Sequence, residues 1–68
     1  MKTSTIEEAK EKLQKCGFYH GPIDKEITKQ FTAAVAEAQK AAGTFADGMW
    51  GPATDHLLNQ YMNKKGIS

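Results

Sequence analysis

The sequence predicts an all-α fold, a small three-helix bundle, and three observations predict it. Apolar residues recur at helical spacing in three stretches, each opened by a capping residue or a proline and closed by a glycine. No run shows strand alternation between hairpin turns. The 68 residues include one cysteine, so no internal disulfide is available and apolar packing must hold the fold.

The first helix is expected over about 5–16. Ser4 with Glu7 and Thr5 with Glu8 both have the spacing of a capping box, worth on the order of 1 kcal/mol. Ile6, Ala9, Leu13 and Cys16 fall on one face. Glu7, Glu8, Lys10, Glu11, Lys12 and Lys15 occupy the other sides and read as a solvated face with weak, exposed ion pairs. Cys16 reads as a small buried hydrophobe and Gly17 as the stop.

Phe18 to Asp24 forms an aromatic, turn-rich connector in which Gly21-Pro22 disfavours helix. Phe18 and Ile23 are its apolar anchors, and Tyr19 and His20 are expected to face solvent. A second helix over about 29–42 is capped by Thr28, with Ile27, Phe31, Ala34, Val35, Ala38 and Ala42 as its core stripe and Gly43 as its end. Its alanines favour helix and let neighbouring helices approach closely.

Asp47-Gly48-Met49-Trp50-Gly51-Pro52-Ala53-Thr54 is a loop-to-helix corner. Asp47-Gly48 is a turn dipeptide, Gly51 the expected N-cap, and Pro52 suits the first helical position, where no amide proton is needed. Asp55 then sits near the positive end of the helix dipole. This third helix, over about 52–65, turns Leu57, Leu58, Tyr61 and Met62 inward before Gly66 ends it. A weak internal echo aligns Leu13-Gln14-Lys15 before Gly17 with Ala38-Gln39-Lys40 before Gly43, as a duplicated helix-loop unit would.

Composition removes several function classes. Nine lysines and no arginine against eight carboxylates give a net charge of +1, which offers a polyanion little attraction and argues against nucleic acid. No apolar run approaches the roughly 18 residues of a membrane span, and Met1-Lys2-Thr3-Ser4 leads into a polar helix rather than a signal-peptide core. Residues 1–68 read as one monomeric domain with shallow clefts. His20 and His56 lack metal-ligand spacing, and no nucleophile occupies a recognisable strained turn. Asp24 and Asp47 could flank a glycosidic bond, but both fit turn roles and nothing predicts the raised pKa that an acid would need. The expectation is a non-enzyme without cofactor or metal.

Nearly the whole chain resembles the peptidoglycan-binding domain family, the three-helix module found beside cell-wall hydrolases and in phage endolysins. The resemblance rests on Leu13-Gln14, Gly17-Phe18-Tyr19, Gly21-Pro22-Ile23-Asp24, Ala33-Ala34-Val35, Gln39 and Phe45 to Thr54. The Asp-Gly-x-x-Gly-Pro-x-Thr loop is its most specific part. Two departures stand out. The first loop, Asp24-Lys25-Glu26-Ile27-Thr28, lacks the family's turn glycines, and Ala38 replaces a larger apolar residue, which implies a smaller core or compensation from Phe31 and Phe45.

The resemblance implies a non-catalytic module that binds the glycan or stem peptide of peptidoglycan and docks an attached hydrolase or other protein partner onto the wall. Its site of action would be the cell envelope. With no signal peptide visible, the chain would be made in the cytoplasm and released or delivered by another route, or be an excised domain. Trp50, Tyr19, Asp24 and Asp47 would supply an aromatic platform and polar groups, and backbone amides at the start of the third helix could receive a carboxylate. With Gly48 and Thr54 they form the candidate ligand surface, on the loops before helices two and three. A packing role for Trp50 and a turn-forming role for Asp47 compete with this. The alternative function is a phage or bacterial adaptor or inhibitor that keeps the bundle without wall affinity.

Overall fold

The computed structural model describes residues 5–67, which form α1 (Ile6–Lys15), α2 (Lys29–Ala41) and α3 (Pro52–Lys65), with no strand among the described residues. Thr5 opens α1 with a complete capping box: its hydroxyl accepts from Glu8 N, and the Glu8 carboxylate accepts from Thr5 N, both at 3.2 Å. The competing Ser4 cap lies outside the described residues. Thr28 caps α2 by accepting from Phe31 N at 3.2 Å. Gly51 and Pro52 open α3 without a side-chain cap, as the missing proline amide allows.

α1 and α2 end alike. Gly17 and Gly43 turn the chain with φ of +84° and +81°, and the next amides return to the helix: Phe18 N donates to Leu13 O and Thr44 N to Gln39 O. α2 packs against both α1 and α3. Ala9 and Leu13 of α1, Phe31, Ala34, Val35 and Ala38 of α2, and Leu58 and Met62 of α3 meet in the core with Tyr19 from the first loop. Ile6, Phe18 and Ile23 pack on its edge, and so does Cys16, half-buried rather than buried as expected.

Several expectations are corrected. Lys10 belongs to no solvated face; it is 0% exposed. It lies four residues after Ile6 and three before Leu13, on the flank of the apolar stripe, so its methylene stem packs inward. Tyr19 does not face solvent: it is 1% exposed, edge-on to Phe31 with ring centroids 6.4 Å apart, and its hydroxyl donates to Pro22 O at 2.7 Å. Ile27 is 68% exposed because it precedes the Thr28 cap and never joins the helical stripe. Phe45 is 82% exposed, so it compensates nothing at Ala38. Thr44 N and Gly48 N are both tied to Gln39, which bows the intervening segment outward. Ala42, Leu57 and Tyr61 are half-buried rather than fully inward.

A pair on the polar side of α1 also has a structural role. Lys12 Nζ reaches Asp55 Oδ1 at 2.9 Å, tying α1 to the first turn of α3, where Asp55 is buried.

Candidate functional site

The second loop is built around one side chain. Gln39, 4% exposed near the end of α2, donates from Nε2 to Asp47 Oδ1 at 2.9 Å and Thr54 Oγ1 at 3.1 Å, and its Oε1 accepts from Gly48 N at 2.9 Å. Thr54 Oγ1 donates on to Met49 O at 3.0 Å, and Asp47 Oδ1 also accepts from Met49 N at 2.9 Å, closing an Asx turn. Asp47, Gly48 and Thr54 thus shape the loop. Gly48 has φ +72°, and a Cβ there would meet Thr32 Cγ2 at 2.9 Å, so the loop lies tight against α2.

The first loop repeats the plan with different chemistry. Asp24 Oδ1 accepts from Glu26 N at 3.1 Å and from Lys10 Nζ. Lys10 holds Asp24 as Gln39 holds Asp47, although by the helix ends it is Leu13 that takes the position of Gln39; Gln14, which the sequence echo aligned with Gln39, is exposed. The Lys10 ammonium also sits 5.6 Å from the Tyr19 ring centroid and 5.7 Å from that of Phe31, within cation–π range.

These contacts set the electrostatics. Burial opposes the charge on Lys10, but Asp24 and Tyr19 together outweigh it and the pKa lies above the ordinary lysine value. The hydrogen bond from Lys10, with that from Glu26 N, holds the Asp24 carboxyl below the usual range. Hydrogen bonds from Met49 N and then Gln39 do the same for Asp47. Both carboxyls are anionic at neutral pH.

Trp50 is half-buried and packs on Phe31, ring centroids 6.4 Å apart at 55°. The six sequence-selected residues therefore do not share one surface. Tyr19 and Thr54 are interior, Asp24 is committed to Lys10, and Asp47 and Gly48 border an open groove of about 510 Å³. Its other wall is the start of α2 and the residues leading into it: Ile27, Thr28, Lys29, Thr32, Ala33 and Ala36. The sequence places the surface on the loops before the second and third helices, in keeping with this position, but its apolar spacing puts Ile27 in the core instead of on the wall. A second groove, of about 300 Å³, lies between the end of α2 and α3, lined by Ala41, Ala42, Leu57, Gln60, Tyr61, Lys64 and Lys65.

Among known families, residues 2–58 match the one described as "Putative peptidoglycan binding domain", a span that contains both Asp-centred loops. The chain belongs to this family. No curated protein and no solved structure gives a match. In this peptidoglycan-binding domain the Gln39 network accounts for the conformation of the Asp-Gly-x-x-Gly-Pro-x-Thr segment. Among the described residues, no helix is long and apolar enough to cross a membrane, and no three His, Cys, Asp or Glu side chains cluster as metal ligands.

Proposed function

We propose that the chain is a non-catalytic module that docks on peptidoglycan at the cell envelope, through the groove between the second loop and the start of α2, and so holds a hydrolase or other partner on the wall. The observation that carries this reading is the open groove of about 510 Å³, one wall of which is the loop fixed by Gln39. A rigid wall costs little ordering on binding, and an open groove admits a polymer that an enclosed pocket would exclude. The carboxyls support the absence of catalysis. Asp24 and Asp47 are both held in the anionic form, whereas hydrolysis of a glycosidic bond needs one carboxyl kept protonated as the acid. Tyr19, Asp24 and Thr54 contribute by holding the loops in shape, and Trp50 by bracing the second loop on Phe31.

Co-sedimentation of the purified protein with insoluble peptidoglycan, at low and high salt, tests this. The expected result is pelleting at both salt levels and reduced pelleting of Ile27→Asp, an exposed position whose change leaves the core intact. A folded parent that stays in the supernatant at both salt levels rejects the reading.

The exposed Phe45 and Met49 side chains favour a second reading, an adaptor that uses this bundle to engage another protein. It predicts capture of a defined protein partner without wall polymer.

A further inference from the structure

The groove between the second loop and α2 lacks the equipment for sugar recognition. A pyranose packs its C–H face on an aromatic ring, and no aromatic side chain lines this groove. Tyr19 and Phe31 are interior, Trp50 packs on Phe31, and Phe18 stacks edge-on with Tyr61 at 5.9 Å, away from it. The lining is instead mostly of small residues, Ala33, Ala36, Ala46 and Gly48, with Thr28, Thr32 and the larger Ile27. It carries one charge of each sign, the Lys29 ammonium and the Asp47 carboxylate.

We infer that the groove binds the stem peptide of peptidoglycan rather than its glycan strand, taking a peptide carboxylate toward Lys29 and a peptide amine toward Asp47. This rests on the wall-binding function proposed above and names the part of the polymer recognised. Stem peptides carry both carboxylates and an amino group. Glycan strands stripped of peptide keep carboxylates and neutral sugars but have no amine for Asp47. Small lining residues leave space for an extended backbone, and the two threonines offer it hydrogen-bond partners. Asp47 needs no reorganisation to act, because Gln39 and Met49 already fix its carboxylate.

The test titrates the intact protein with stem peptides released from peptidoglycan and, separately, with the peptide-free glycan strands left behind, following backbone amide shifts. Whole peptidoglycan is pelleted in parallel. Shifts at Gly48, Thr32 and Ala33 with stem peptide, and none with stripped strands, are the expected result. Lys29→Glu should weaken peptide binding about fivefold, the size of one partly screened ion pair. Ala33→Phe, at an exposed helix position, should fill the groove and abolish the shifts while helical circular dichroism is unchanged. Binding to stripped strands as tight as to whole peptidoglycan overturns the inference and leaves wall binding intact. Peptide binding unaltered in both variants moves the site elsewhere and overturns it too. Failure to pellet with whole peptidoglycan removes the function on which it rests.

Discussion

Lys10 and Gln39 do the same work for the two loops: each reaches from a helix to the carboxylate of a turn-forming aspartate, Asp24 in the first loop and Asp47 in the second. One contact is an ion pair and the other a charge-assisted hydrogen bond from an uncharged amide. The amide also satisfies Gly48 N and Thr54, so the second loop depends on more bonds from one residue.

Gln39→Ala should therefore destabilise the protein by about 1–3 kcal/mol, because it strips partners from buried polar groups as well as removing bonds. Urea unfolding measures the loss. Hydrogen exchange should rise at Gly48 more than at Phe18, and equal increases would place the damage in the core instead.

The Lys10–Asp24 pair predicts a stability plateau with two limbs. Asp24 has a folded-state pKa below the ordinary 3.8, so its contribution is present above that value and is lost as pH falls through the lower, folded value. Lys10 has a folded-state pKa above the ordinary 10.5; its contribution is complete below 10.5 and is lost as pH rises through the folded value. Asp24→Asn should flatten part of the acid limb, and Asp47, whose pKa is also lowered, contributes to what remains. Lys10→Ala leaves Asp24 without its partner and should destabilise more than Lys10→Met, which keeps the packed stem. Thermal unfolding at a series of pH values checks both.

Gly48→Ala should cost about 1–2 kcal/mol from the positive φ alone, and more from the contact with Thr32 Cγ2. Thr32→Ser removes that methyl group. Combined with Gly48→Ala it should recover the steric part and leave the backbone part, a coupling that a double-mutant cycle reads directly.

Cys16 is half-buried, and burial pushes its thiol above the ordinary 9.0. At neutral pH it should alkylate more slowly than a free thiol in solution and reach the free rate once urea unfolds the chain. A folded protein that reacts at the unfolded rate would show that the α1 end opens readily.

The helices were legible because each is written locally. Thr5 with Glu8, Thr28, and Gly51-Pro52 mark the starts, and Gly17, Gly43 and Gly66 the ends. What escaped was tertiary. Lys10 looks like any surface lysine until Asp24 and the rings of Tyr19 and Phe31 close over it, and its spacing from Ile6 and Leu13 was the available hint. The candidate surface was half legible: Asp47 and Gly48 border the groove, but Ile27 and Lys29 oppose them only because the first loop delivers α2 beside the second.

The grip of Gln39 on the second loop has a bearing on transplantation. The octapeptide from Asp47 to Thr54 carries only part of its own shape, in the bonds from Met49 N to Asp47 and from Thr54 to Met49 O; the rest is set by a residue eight positions upstream of Asp47. A recipient scaffold given those eight residues alone would receive a loop without its anchor to the helix. One that also presents a glutamine from the preceding helix turn, with a residue no larger than threonine facing Gly48, would receive the loop in its working form.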